Sequence, residues 1–221
     1  TSINFDKFKN QIGNFYSPKK IFIDINFLKT LPQSDIISGL GEMAHYFLVS
    51  SKNDFLYFKS NYINAQKKIN ILKDMIIKSL EIKKSYIEID EFDQNERQVF
   101  NYGHSFGHAI ESLTNYRIPH GIAVSIGMDM ANFISVKYGY MKVEDRLEIR
   151  DVLSKMWHGY DIKDIDIENM KLALLKDKKN KGSKLGLILS KGPGKTFKEF
   201  KDLDDDFSNW LNEYFKNEIF S

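Results

Sequence analysis

Cysteine is absent from the 221 residues, which excludes a disulfide scaffold, a thiolate metal site and a Cys nucleophile. Any metal bound here must be held by His and carboxylate. An excess of one charge is missing too: 32 basic against 30 acidic residues leave a net charge of +2, so there is no electrostatic case for nucleic acid. Long apolar runs are lacking. The stretch Ile118 to Met130 contains Pro, His, Gly and Asp and falls short of a membrane span. No G-x-G-x-x-G follows a strand, and no P-loop or G-x-S-x-G elbow occurs, so neither a nucleotide fold nor a hydrolase elbow is visible. No signal peptide precedes the first strand-like run, which makes a cytoplasmic protein the expectation. Thr1 in place of an initiator Met reads as a trimmed chain or a fragment.

What is present is material for a core. Seventeen Phe, 11 Tyr and 2 Trp within a 42% hydrophobic composition are incompatible with a disordered tail. Lys20–Phe27 alternates and reads as a strand. Ser34 and Asp35 can cap a helix running to Ser50, and another helix starts near Asn53. Lys67–Ile89 is amphipathic, with Ile69, Leu72, Ile76, Leu80, Lys83 and Ile87 spaced by three or four. After a polar connection, Val99–Leu113 returns to helical spacing. Ile122–Tyr138 is apolar and rich in small residues, as a buried helix would be, and further helices are predicted over 143–157 and 167–178. The period then changes: residues 184–189 and 196–200 flank Gly192-Pro193-Gly194 as a hairpin, and a last helix covers 204–215. The predicted architecture is mainly α, with a leading strand and a small late β-hairpin.

The chemistry gathers around histidine. Of five, His104, His108 and His120 fall within 17 residues. His104 and His108 share a helix face at i, i+4, and His120 follows at a break from which it can close one site. Glu42, between glycines that permit close helix approach, is a candidate carboxylate ligand, and with His45 it forms a Glu-x-x-His pair like half of a carboxylate di-metal motif. A packed or solvated side chain explains any one of these alone. Lys83 on an otherwise apolar face, and Arg97 four residues before Asn101, could bind an anionic substrate or form ordinary ion pairs. Lys176–Lys181 reads as a solvated loop or a phosphate-binding flap.

NYGHSFGHAIE (101–111), HGIAVSIGM (120–128), LKTLPQSDIISGLGEMAHY (28–46), the Lys83…Arg97…Asn101 pattern and KDKKNKGSKLGLILSKGPGK (176–195) together strongly resemble the 3-dehydroquinate synthase family of sugar-phosphate cyclases. The resemblance implies the multihelical C-terminal domain of that fold over 28–221, with 1–27 a remnant of the end of the NAD-binding domain, the rest of which would precede Thr1. It implies Glu42, His104 and His120 as metal ligands, with Zn²⁺ or else Co²⁺ or Fe²⁺ as the ion. His108 would then touch substrate instead of metal. Lys83, Arg97, Asn101 and His108 would be catalytic and substrate-binding, joined by Asn10, Lys178 and Lys179, with Lys9 and Asn10 contacting NAD⁺. The implied activity is cyclisation of the phosphorylated sugar acid 3-deoxy-D-arabino-heptulosonate 7-phosphate to 3-dehydroquinate with phosphate release, in the shikimate pathway, by a cytoplasmic homodimer with no membrane or nucleic-acid partner. The isolated chain is expected to be inactive. Two positions depart from the family: His45 stands where a Lys is usual, and Ile122 where a Glu follows His-Gly. They keep open a cyclase of sedoheptulose 7-phosphate or glucose 6-phosphate, or a catalytically silent metal-binding and dimerisation fragment.

Overall fold

The computed structural model describes residues 2–5, 8–14, 16, 18–160, 162, 165–177 and 179–218, without the side chains of residues 2, 4 and 8–10. It contains two compact units, Thr1–Thr30 and Leu31–Ser221. The first unit holds an antiparallel hairpin of β1 (Ser2–Phe5) and β2 (Phe8–Gly13) and a 3-10 turn at Ile25–Thr30. The strand predicted at Lys20–Phe27 is not formed. Residues 20–24 have no regular structure, and Ile21, Phe22 and Ile23 are exposed. An alternating pattern becomes a strand only beside a partner ladder, and among the described residues this stretch has none.

The second unit is helical. In order come α1 (Gln33–Ser50), α2 (Lys52–Ala65), α3 (Ile69–Ile89), a 3-10 turn (Glu96–Asn101), α4 (His104–Leu113), α5 (His120–Lys137), α6 (Val143–Trp157) and α7 (Ile167–Leu175). The antiparallel pair β3 (Leu185–Ser190) and β4 (Thr196–Lys201) follows, then α8 (Asp205–Glu213), continued by a π turn to Glu218. The architecture is mainly α with strands at the start and a late hairpin, as predicted. No helix among the described residues is long and apolar enough to cross a membrane.

The local reasons are visible at the helix ends. α1 starts behind Pro32 without a side-chain cap, so Ser34 and Asp35 lie inside its first turn instead of capping it. The rigid φ of proline suits the entry to a helix. Ser51 caps α2 by accepting from the Asp54 amide at 3.0 Å. The buried stripe of α3 is Leu72, Met75, Ser79 and Ile82, whereas Ile69 and Leu80 are exposed. The periodicity was right in type and rotated in phase, which leaves Lys83 at the edge of the buried face. Gly103, at φ +77°, separates the 3-10 turn from α4, so the predicted continuous helix over 99–113 is broken immediately before His104.

α5 organises the unit. Every residue from Gly121 to Ser135 is buried, and the helix packs against α1, α4, α6 and β3. A helix buried all round can only be a central one. Each large apolar side chain it buries contributes ~1.5–3 kcal/mol. Its contact with α1 is made through glycine: a methyl on Gly121 would stand 1.8 Å from the Ser38 carbonyl oxygen, and one on Gly41 would stand 2.3 Å from the Gly121 carbonyl oxygen. Backbone against backbone, the two helices bring Glu42 to the first turn of α5. The Gly192–Gly194 turn closes β3–β4 and donates the Gly194 amide to the Leu48 carbonyl at 2.8 Å. It is a structural turn, as the hairpin reading predicted.

Candidate metal and substrate site

Three elements deliver the site. Glu42 comes from the glycine-lined face of α1, His104 from the first residue of α4, and His120 from the first residue of α5. Glu42 Oε2 lies 3.6 Å from His104 Nε2 and 3.4 Å from His120 Nε2. Behind each ring stands an acceptor. His104 Nδ1 is 3.1 Å from the Tyr102 carbonyl, and His120 Nδ1 is 3.1 Å from Glu111 Oε2. A neutral ring that donates through Nδ1 keeps its lone pair on Nε2. Both Nε2 atoms face the Glu42 carboxylate, and each ring when neutral offers a lone pair there. Glu42 Oε2 is buried and has no hydrogen-bond partner of good geometry. Such a convergence of acceptors is costly unless a cation or a proton lies among them.

Without an ion, a proton on His120 takes that place. Burial would raise the Glu42 carboxyl, but the His104 and His120 rings that face it outweigh burial and hold the group well below the usual carboxylate range. Glu111, and then Glu42, raise His120 to about 9. Burial lowers His45 to about 3 against the pull of Glu42, so this ring is neutral. Carboxylate plus imidazole with acceptors fixing the tautomer is a donor set suited to a divalent transition ion.

Two acid–histidine triads bring ligand atoms within 4.8 Å of one another: Glu42 with His45 and His104, and Glu111 with His108 and His120. The expected ligand set draws members from both. His108 is drawn in by its neighbours, its ring 5.5 Å from His104 and 5.6 Å from His120. Spacing alone missed Glu111, although it lies in the quoted motif one helical turn beyond His108. Its signal was an acidic residue on the buried face of an amphipathic helix.

The basic candidates divide between two places. Asn101 and Lys179 line one cleft of ≈ 140 Å³ with Asp93, Gln98, Ile188 and Lys198. Lys179 pairs with Asp177 at 3.0 Å, and Lys198 donates to Gln98 Oε1 at 2.8 Å. Lys198 escaped the sequence reading because β4 looks like an ordinary charged hairpin strand. Its place opposite Ile188 in the register is what turns it to the cleft. Lys83 stands over the Tyr46 ring at 5.7 Å. Arg97 donates through Nη1 to the Glu91 carbonyl at 2.5 Å, so part of its fork fastens the connection that Asp90 also holds by accepting from the amides of Gln94, Asn95 and Arg97. Lys178, and the side chains of Lys9 and Asn10, lie outside the described residues.

The fold of the chain is shared with two solved synthases. It superposes on 2-deoxy-scyllo-inosose synthase, solved with carbaglucose-6-phosphate, NAD⁺ and Co²⁺, with a TM-score of 0.80 at 24% identity, covering 97% of this chain and 61% of that one. It superposes likewise on 2-epi-5-epi-valiolone synthase from Streptomyces hygroscopicus, solved with NAD⁺ and Zn²⁺, with a TM-score of 0.83 at 19% identity, covering 97% and 60%. Sequence narrows the class. Residues 39–180 match the family model described as 3-dehydroquinate synthase C-terminal, and residues 1–38 the one described as 3-dehydroquinate synthase N-terminal. The 3-dehydroquinate synthase of Alkaliphilus metalliredigens is 37% identical over 88% of this chain and 55% of its own length; that of Campylobacter concisus is 39% identical over 86% and 54%. The chain belongs to the 3-dehydroquinate synthase family. It spans about half the length of these curated relatives.

Proposed function

We propose that this chain is the metal- and substrate-binding part of a 3-dehydroquinate synthase, a cytoplasmic homodimer that converts 3-deoxy-D-arabino-heptulosonate 7-phosphate to 3-dehydroquinate and phosphate. The observation that carries the reading is the Glu42 carboxylate set between the Nε2 atoms of His104 and His120. These three residues would hold the ion, Zn²⁺ or else Co²⁺ or Fe²⁺. When bound, the ion supplies Lewis acidity toward adjacent substrate hydroxyls, and NAD⁺ supplies a reversible oxidation. The chain's own side chains do the rest. Lys179 takes the phosphate in the cleft shared with Asn101, and Lys178 is assigned to the same group. Lys83, Arg97 and Asn101 fix the carboxylate and hydroxyls, and His108 touches the substrate beside the ion. Holding a doubly anionic substrate at both ends lets one site host successive steps. Lys9 and Asn10 are assigned to NAD⁺. The first unit is assigned to the end of the NAD-binding half, a reading supported by its hairpin, which exposes Ile3, Phe5 and Ile12 and as a two-stranded sheet would be marginal alone.

The test has two arms. About one divalent ion per chain is expected, lost in Glu42→Ala, His104→Ala and His120→Ala and kept in His108→Ala. Equal loss in the His108 variant would reverse the roles of the two α4 histidines. Phosphate release is then assayed with NAD⁺ and a supplied N-terminal half, on the heptulosonate phosphate, sedoheptulose 7-phosphate and glucose 6-phosphate. Turnover of the first alone is expected. Turnover only of another sugar phosphate would overturn the substrate, and no turnover of any would favour the silent metal-binding fragment.

A further inference from the structure

The Glu-x-x-His pair on α1 has a member that the proposed function leaves unused. His45 is 1% exposed, and its Nδ1 is buried without a hydrogen-bond partner of good geometry. That nitrogen stands 3.9 Å from Glu42 Oε2, itself a buried atom without such a partner. The ring is otherwise walled by aromatics: Tyr46 at 3.9 Å between centroids, Phe100 at 5.8 Å, and the edge of His104 at 5.2 Å. A buried polar atom left unpaired costs on the order of 1–3 kcal/mol unless something else meets it.

Glu42 Oε2 is therefore the shared vertex of three contacts, 3.4 Å to His120, 3.6 Å to His104 and 3.9 Å to His45. Two donor atoms each ~2.0–2.2 Å from a tetrahedral ion stand ~3.3–3.6 Å apart. The first two separations lie in that range, and the third is within a small side-chain adjustment of it. Glu42, His45 and His104 also each place a ligand atom within 4.8 Å of the other two.

We propose that His45 is a further ligand of the ion, through Nδ1, so that the ion is held by three imidazoles and one carboxylate. The inference rests on the metal-site reading above. It also gives the residue a reason: a lysine ammonium at this position could hold an anion but has no lone pair for a metal.

The test begins with the unmutated protein loaded with Zn²⁺. Extended X-ray absorption fine structure at the zinc edge counts imidazoles: three are expected, and two would overturn the proposal. Chelator competition then compares the parent with His45→Asn, which keeps a short polar group, and His45→Phe, which keeps bulk alone. Zn²⁺ affinity is expected to fall about tenfold or more in His45→Phe, with a changed visible spectrum of the Co²⁺ form, while circular dichroism shows both variants folded. Unchanged affinity and spectrum in folded His45→Phe would overturn the inference and leave the metal site standing. Retention of the ion in Glu42→Ala and His104→Ala would instead overturn the site itself. If neither His45 variant folds, the imidazole count on the parent decides.

Discussion

Glu111 shows what a residue away from the ion contributes. Its carboxylate accepts from His120 Nδ1 at 3.1 Å and is the leading cause of the raised pKa of that ring, about 9 against an ordinary 6.5. A histidine whose folded pKa is raised contributes stability that is fully present below the unfolded pKa and is lost as pH rises through the folded value. In ion-free protein, the stability gap between the parent and Glu111→Gln is therefore expected to be widest below about pH 6.5 and to narrow toward pH 9 and above. Denaturant midpoints measured across that range check it, and a gap that does not change with pH would sink the assignment. The same variant should weaken ion binding at neutral pH by about tenfold or more, because the ring loses the acceptor that fixes its tautomer. At this scale the sequence was partly legible. GHSFGH and PHG announce imidazoles near one another, but which nitrogen faces Glu42 depends on Tyr102 and Glu111, and that appears only in three dimensions.

At the scale of elements, the site depends on how closely α1 and α5 approach. Glycine at 41 and 121 removes the side chains that would keep the helices apart, and the proximity of Glu42 to His120 is the direct result. A methyl at 121 meets the Ser38 carbonyl at 1.8 Å, an atom of the backbone that cannot rotate away. Gly121→Ala should therefore destabilise the protein by about 1–3 kcal/mol, in the range for overpacked cores, and should also reduce ion affinity by separating Glu42 from His120. Urea unfolding and chelator competition on the same preparation test the pair of effects. Lost stability with intact ion affinity would show that the helices re-pack without moving the ligands. The glycines near Glu42 were readable as licence for close approach, and the resemblance to the family named Glu42, His104 and His120, which the fold brings together. The phase of α3 and the break at Gly103 were not readable, because both follow from what packs against them. A stripe of isoleucines allows several rotations of a helix, and only the neighbouring α1 and α2 select Leu72, Met75, Ser79 and Ile82.

At the scale of the whole molecule, the start and the middle of α5 do different work. Its first residue is His120, and near its middle, fully buried, is Asp129. Asp129 accepts from Arg146 Nε and Nη2, both at 3.2 Å, from Tyr214 Oη at 2.8 Å, and from Arg150. The same arginines reach Glu218, Arg146 through the carboxylate at 2.7 Å and Arg150 through the backbone carbonyl. One carboxylate thus joins α5 to the next helix, α6, and to the turn after α8, with Tyr214 lying 85 residues on, and no motif announced it. Removing one partner of a buried charged cluster leaves the others unpaired in a poor dielectric, and such losses run to about 3–5 kcal/mol. Asp129→Ala is expected to destabilise the protein by about that amount. The N-terminal turn of α5, however, is fixed by the glycine contact with α1 and by the Gly121 amide, which donates to Ser38 Oγ at 3.0 Å. Ion affinity measured well below the unfolding transition should accordingly stay at the parent's value in Asp129→Ala. If affinity falls together with stability, the mid-helix anchor and the ion site are one cooperative unit, and α5 transmits strain along its length instead of separating two tasks.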